Sequence, residues 1–371
     1  MRLYNYLTIL CTFSISLLFF MGGAHACTEF CIASNDGSHI VGRSMEFGLD
    51  LQSNIITQPR DHQFQMSTPD GKLSLAWKNK FGYAALNALG SDIISDGLND
   101  QGLSASALYL PKFSKYQQIL PQQNHLAVPN DLLVHYILGN FKTIEQVKQA
   151  IPEIVVYARP NADIGNKPFP LHYSVYDRTG QGIVIEYTTE GLNIYDNTPR
   201  VLTNSPPFPW HLDNLQNYLN LSPNNPAPKT LGNQTFSPAG QGFGMCGLPG
   251  DSTPPSRFVR IFALKAASTP TNTTEQTINL AFHLLNTVDV IRGTVRPATT
   301  AKDQSPDYTQ WIVIKDLTNL KLYVRTYDSL SISTLDLKQL DLSPGAPVMK
   351  IPIAEQQKPL DLLKNLQSQS K

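Results

Sequence analysis

An apolar run from Leu7 to Gly23 breaks off at Ala24-His25-Ala26, and Cys27-Thr28 follows at once. The run comes after a short segment whose only charge is Arg2. Ala24 and Ala26 give the A-x-A spacing behind which a signal peptidase cuts. Cleavage there makes residues 1–26 a removed leader and Cys27 the first residue of the mature chain. This junction constrains the fold more than any other feature. Most chain ends fray, so an end that carries chemistry must be built into a rigid element. A free α-amine has a pKa of about 7.7–8.0 and a cysteine thiol about 8.5. On one residue the amine can serve as the thiol's own base. Two other readings compete: an inert thiol that follows the cut by chance, and a lipid-anchored binding protein tethered through Cys27. His25 and Ala24 fit a lipobox poorly.

Removing the leader from 371 residues leaves 345, enough for one large domain or two small ones. A hydrophobic share of 41% and a charged share of 16% describe a folded chain and exclude a disordered one. Basic and acidic residues number 29 each, and only Arg2 leaves with the leader. The mature chain is therefore close to neutral, which argues against nucleic acid or an anionic membrane as a partner. No second long apolar run exists, so no membrane span is expected after processing. Of the four cysteines, Cys11 lies in the leader. The remaining Cys27, Cys31 and Cys246 are an odd set, so at least one thiol stays free. A Cys31–Cys246 bridge is left open, with Cys31 favoured as a small core residue. The eight histidines form no H-x3-H or H-E-x-x-H pair, and no metal site is expected.

Thr28–Ser34 and His39–Met45 flank Asn35-Asp36-Gly37-Ser38, a hairpin signal. The first strand would hold Cys27 at its open end, and the second would bring Arg43 and Glu46 near it. Ile55–Pro59 and Leu73–Trp77 read as short strands, Asp96–Leu103 as a turn-rich bend, and Ser104–Tyr109 as a strand. Pro129–Ile151 switches to helical periodicity, with Asn130 or Asp131 capping one helix and Thr143 a second. His172–Tyr176, Gly182–Tyr187, Leu192–Tyr195 and Arg200–Leu202 return to strands, as an antiparallel meander. Pro209–Leu221, Pro254–Ala267 and Glu275–Thr287 read as helices. Ser222–Pro249 reads as a loop, and Gln310–Lys315 with Lys321–Tyr327 as a late hairpin. The tail after Ile353 reads as a short helix and a frayed end. The order implies an α+β fold with mainly antiparallel sheets, and neither a repeat nor a linker divides residues 27–371.

The motifs then fall into a recognisable order: Cys27-Thr28, Gly42-Arg43-Ser44-Met45-Glu46, Asp96-Gly97-Leu98-Asn99 with Gly102-Leu103, Leu202-Thr203-Asn204-Ser205-Pro206, and Gly247-Leu248-Pro249-Gly250-Asp251 through Ser256-Arg257-Phe258. Arg292-Gly293-Thr294 also fits. The set resembles the choloylglycine hydrolase family, which includes bile salt hydrolases and penicillin V acylases. These are N-terminal-nucleophile hydrolases. The resemblance spans Cys27 to about Tyr327. It implies a four-layer αββα fold and hydrolysis of a linear amide bond with no cofactor. It places Cys27 as nucleophile and base, Arg43 beside the thiol, Arg257 as a second active-site arginine, and Asn204, with help from Tyr109, in the oxyanion hole. A positive charge near a thiol favours thiolate, so physics agrees with the placement of Arg43. Glu46 stands where the family has an aspartate that bonds the nucleophile's amine.

Tyr109 stands where penicillin V acylases usually carry tyrosine and bile salt hydrolases asparagine, which tilts the expected substrate toward the acylase side. The resemblance implies an N-acyl amide substrate: a penicillin V-like amide, a conjugated bile acid or an N-acyl homoserine lactone. Phe236, Phe243, Trp77 and Tyr83 are candidates for the acyl pocket. Family members are often tetramers, so a homotetramer is a further expectation, as is export to the periplasm or medium.

Overall fold

The computed structural model describes residues 26–296 and 305–353. The leader up to His25 and the tail after Ile353 lie outside the described residues.

The first hairpin forms where the turn chemistry places it, with β1 at Ala26–Ala33 and β2 at His39–Phe47. Cys27 faces Met45 across the ladder and Glu29 faces Arg43. A long excursion follows, which contributes five strands to the second large sheet and two helices. They are β3 (Asn54–Gln58), β4 (Tyr83–Asn87), β5 (Ile94–Asn99), β6 (Ser104–Tyr109), α1 (Leu133–Asn140), α2 (Ile144–Ala150) and β7 (Leu171–Tyr176). Then come β8 (Gly182–Thr188), β9 (Gly191–Asp196), β10 (Val201–Leu202), α3 (Phe208–Leu215), α4 (Pro254–Ala267) and α5 (Thr274–Asn286). The chain closes with β11 (Tyr308–Asp316), β12 (Lys321–Thr326), β13 (Ser333–Asp336) and β14 (Lys350–Pro352).

The strands build two large antiparallel sheets. One has six strands in the order β10-β1-β2-β11-β12-β13, and the other eight in the order β9-β8-β7-β6-β5-β4-β3-β14. Helices α4 and α5 pack on β1 and β2 of the first, and α1 on β5 and β6 of the second. One apolar cluster joins Phe30, Leu98, Leu108, Phe258 and Leu285, so it spans both sheets and the α4/α5 layer. A second, with Ala105, Leu133, Ile137 and Val147, fills the space under α1 and α2. The result is a four-layer αββα stack. Because β1 and β2 are covered on both faces, their side chains are buried on both, and alternation decides which layer each one meets.

Helix starts show which local signals held. Thr143 caps α2, its side chain accepting from Gln146 N, and Pro254-Pro255 opens α4. Asn130 and Asp131 do not cap α1. They form a 3-10 turn, Asn130–Leu132, ahead of it. Asn130 spends its side chain on Phe169 O and Arg159 N, and Asp131 pairs with Arg159. Of the bend expected at Asp96–Leu103, Asp96–Asn99 belong instead to the strand β5, and the turn is confined to Asp100–Gly102. Gly97 lies beneath α1, where a Cβ would sit 2.6 Å from Leu138 Cδ1; the glycine permits a close packing contact and does not mark a turn. The expected strand Leu73–Trp77 shrinks to Trp77–Lys78. Val201–Leu202 leaves the meander and joins the other sheet beside β1. Within Ser222–Pro249 lies a small exposed hairpin, Lys229–Leu231 with Gln234–Phe236.

Candidate active site

Three strands and one helix converge on Cys27. In β1 its side chain shares the inner face with Glu29 and Cys31, toward the eight-stranded sheet, while Thr28 and Phe30 face α4 and α5. β2 puts Arg43 and Met45 on the same inner face. Beyond β10, whose Leu202 is opposite Glu29, the antiparallel register carried two residues further brings Asn204 opposite Cys27. The end of β6 brings Tyr109.

Cys27 is 3% exposed. Its Sγ lies 3.7 Å from Arg43 Nη2 and 3.7 Å from Met45 Sδ. Burial pushes the thiol's pKa up, the Arg43 guanidinium pulls against it, Glu46 raises it further, and Arg257 lowers it. Arg43 is wholly buried. Nη2 also donates to Ala107 O at 2.7 Å, Nη1 donates to Ser95 O, and the guanidinium lies over the Trp311 ring, 5.7 Å from its centroid. It is therefore a fixed charge.

Asn204 is tied to the other side of the cysteine. Its Oδ1 accepts from Cys27 N at 2.6 Å and from Arg257 Nη2 at 2.9 Å, while its Nδ2 donates to Tyr109 O at 2.9 Å. Two donors on one side and a carbonyl on the other fix the orientation of the amide, since the flipped form would set N–H against N–H. Two buried histidines hold its backbone. His172 Nε2 bonds Thr203 O at 3.0 Å, with Nδ1 at 2.9 Å from Glu186 Oε1, and His211 Nε2 bonds Asn204 O at 2.9 Å. Burial lowers the His211 pKa to about 4, so it works as a neutral donor, stacked on Phe258 with ring centroids 4.6 Å apart.

Arg257, from the first turn of α4, is also fully buried. It donates to Cys27 O, to Thr28 Oγ1 at 2.6 Å and to Ser252 O at 3.0 Å. The ring of Tyr109 makes edge contacts with Phe47 and Phe169 at 5.4 and 6.2 Å. Burial, then the neighbouring Tyr116 and Cys27, keep its hydroxyl well above the usual tyrosine range.

Glu46 takes a different place. Three residues beyond Arg43 on a strand, it points to the opposite face, which rules out a surface pair between the two. It is wholly buried, and its Oε1 accepts from Thr309 Oγ1 at 2.8 Å. Burial pushes its pKa up to about 7 against the pull of Arg257. The structure thus gathers Cys27, Arg43, Asn204, Arg257 and Tyr109 directly, with Glu46 on the far side of the sheet beside the arginine. Of the pocket candidates, Trp77 and Tyr83 are core residues of the second cluster, and Tyr83 OH bonds His135 Nδ1 at 2.6 Å. Phe236 and Phe243 are exposed.

Sequence reasoning did not single out His172, His211, Glu29 or Lys315. A buried charge on a covered strand looks like an outward-facing one in the sequence. Cys31 is buried, Cys246 is exposed, and both are free thiols. Among the described residues no group of three or more His, Cys, Asp or Glu could hold a metal ion, and no helix is long and apolar enough to cross a membrane.

Two facing antiparallel sheets between helical layers, with a cysteine at the start of a strand in the stack, define the fold class of the N-terminal-nucleophile hydrolases. The model of the linear amide C–N hydrolases, choloylglycine hydrolase family, matches residues 27–353, and the chain belongs to that family. It is 33% identical over 320 residues to the bile salt hydrolase/transferase of Clostridium perfringens, covering 85% of this chain and 94% of that one. It is 26% identical over 320 residues to the conjugated bile acid hydrolase of Lactobacillus gasseri, covering 84% and 96%. A solved structure of the conjugated bile acid hydrolase from Clostridium perfringens superposes with a TM-score of 0.79 at 28% identity, covering 91% of this chain and all of the other. Penicillin V acylase from Agrobacterium tumefaciens shares the fold, with a TM-score of 0.71 at 22% identity and coverage of 88% and 91%. The chain is accordingly a linear amide hydrolase.

Proposed function

We propose that cleavage behind Ala26 frees Cys27 as the nucleophile and that the substrate is an N-acyl amide with an apolar acyl group. The observation that carries this reading is Arg43 Nη2 at 3.7 Å from Cys27 Sγ, with Asn204 on the same residue's nitrogen. In the uncut chain that nitrogen is a peptide N–H; after cleavage it is an α-amine held by Asn204 Oδ1. The amine takes the thiol proton, and the thiolate attacks the substrate carbonyl under the charge of Arg43. An amide NH2 carries two hydrogens; one on Asn204 goes to Tyr109 O, and the other serves the developing oxyanion. The α-ammonium protonates the leaving amine, and water then releases the acyl group. Arg257 holds Cys27 O and Asn204 Oδ1 in one frame, so it positions both partners.

The aromatic wall of Tyr109, Phe47 and Phe169 favours a flat aryl acyl group of the penicillin V kind. The 33% identity to a bile salt hydrolase/transferase supports a second reading, a conjugated bile acid. Export, the leader cut and a tetramer belong to the same proposal. The test is intact-mass and N-terminal analysis of the protein made from the full chain, followed by kcat/KM for both substrate classes. A chain beginning at unmodified Cys27, with activity lost in Cys27→Ala, is expected. A chain beginning elsewhere, a lipid adduct on Cys27, or an active Cys27→Ala protein would refute the mechanism.

A further inference from the structure

Between the sheets, next to Arg43, lies a group of charges that the mechanism above does not use. Glu29 (β1), Asp96 (β5), Ser106 (β6) and Lys315 (β11) are each 0% exposed. Lys315 Nζ reaches Glu29 Oε1 at 2.9 Å, Asp96 Oδ2 at 2.7 Å and Ser106 Oγ at 3.0 Å, one partner for each of its three hydrogens. Ser106 Oγ lies 2.7 Å from the same Glu29 oxygen and 2.8 Å from the same Asp96 oxygen. Its single hydrogen can serve one of them at a time. Asp96 Oδ2 is also 3.5 Å from Arg43 Nη1, and Glu29 is the ladder partner of Arg43.

One arginine thus faces two buried carboxylates on one side and the thiol on the other. Fully buried acids and bases demand near-complete pairing, and the group is neutral only with Lys315 included. We propose that Lys315 is a positioning residue for the nucleophile: by neutralising Glu29 and Asp96 it leaves the charge of Arg43 available to the Cys27 thiolate. This rests on Cys27 being the nucleophile. With Lys315 present, ionising the thiol gives the group one net negative charge; without it, two. The other charges and titratable groups that act on the thiol are Glu46, from the far face of β2, Arg257 from α4 and Tyr109 from β6. Those around Lys315 and Glu29 include Cys31 and Tyr176.

The test is the pH dependence of iodoacetamide alkylation at Cys27, read by peptide mapping of protein produced from the full chain, with the exposed Cys246 as internal reference. A unit charge roughly 8–12 Å away at an effective dielectric constant of about 20 moves a titration by about 1–1.5 pH units. Lys315→Met is expected to raise the Cys27 midpoint by that amount, and Glu29→Gln to lower it. A purely structural role would not move the two in opposite directions. Coincident profiles, or shifts of the same sign, overturn the proposal. Should Lys315→Met not fold, Glu29→Gln decides alone: a lower midpoint supports the proposal, and an unchanged or higher one overturns it. If wild-type Cys27 is not alkylated at any pH, the nucleophile reading itself has failed.

Discussion

Asn204→Ala cuts three hydrogen bonds at once, to Cys27 N, Arg257 Nη2 and Tyr109 O. Each group left unpaired in a buried setting costs about 1–3 kcal/mol. The space of the lost amide admits water, so the low end of the range applies to each of the three, and the total is about 3–5 kcal/mol. For a chain of this size that lowers the thermal midpoint by about 4–7 °C. The catalytic loss has a different origin. Removing one oxyanion donor costs about 10²–10³ in kcat, and that loss persists at temperatures where the variant is folded. Asn204→Asp separates the two effects, since it keeps the acceptor for Cys27 N and Arg257 but has no N–H for the oxyanion. Both variants are expected to lose kcat by at least about 10², with Asn204→Asp the more stable. Differential scanning calorimetry and single-turnover kinetics at 25 °C would measure the two quantities. A folded Asn204→Ala protein with kcat within threefold of wild type would refute the oxyanion assignment.

Glu46 is buried with its pKa raised to about 7 from 4.5. Below about pH 4.5 both folded and unfolded states hold the proton, and its contribution to stability is complete; it is lost as pH rises through 7. Glu46→Gln, which cannot ionise, should therefore gain on wild type by on the order of 3 kcal/mol between pH 5 and pH 8, as read from urea midpoints. A difference independent of pH would mean that Glu46 is ionised throughout. Gly102 has φ +85°, and a Cβ there would run into Leu317 O. Gly102→Ala should cost about 1–3 kcal/mol in chemical denaturation, and an unchanged midpoint would show that the turn relaxes.

The legible parts of the chain were those whose signals are local. The hairpin around Asn35-Asp36-Gly37-Ser38 and the Pro-Pro start of α4 each depend on a few adjacent residues, and both stand where the sequence puts them. What escaped depends on the second sheet. β4, with Tyr83, Ala84, Ala85 and Leu86 all buried, has apolar contacts on both faces and so lacks the alternation that marks a strand. β5 was hidden by Asp96-Gly97, which spell a turn unless a helix lies overhead and a lysine 219 positions away neutralises the acid. Trp77 and Tyr83 look like pocket residues only while the layer that covers them is unknown. At the site, Arg43, Asn204 and Arg257 could be named from their motifs. The opposed directions of Arg43 and Glu46 follow from strand alternation alone, yet their weight becomes clear only when α4 is seen on one face and a second sheet on the other.

The first sheet takes its middle from opposite ends of the sequence, with β2 (His39–Phe47) paired along its length to β11 (Tyr308–Asp316). As the polypeptide leaves the ribosome, the strand holding Arg43 therefore has one open edge until more than 260 further residues have been made. Pairing of such sequence-distant segments is slow, because the intervening loop must close before the contacts form. Closure of the sheet around Cys27 is consequently one of the last events in the life of the nascent chain: a ribosome stalled before residue 308 has already made Arg43, Tyr109, Asn204 and Arg257 but not the strand that pairs with β2.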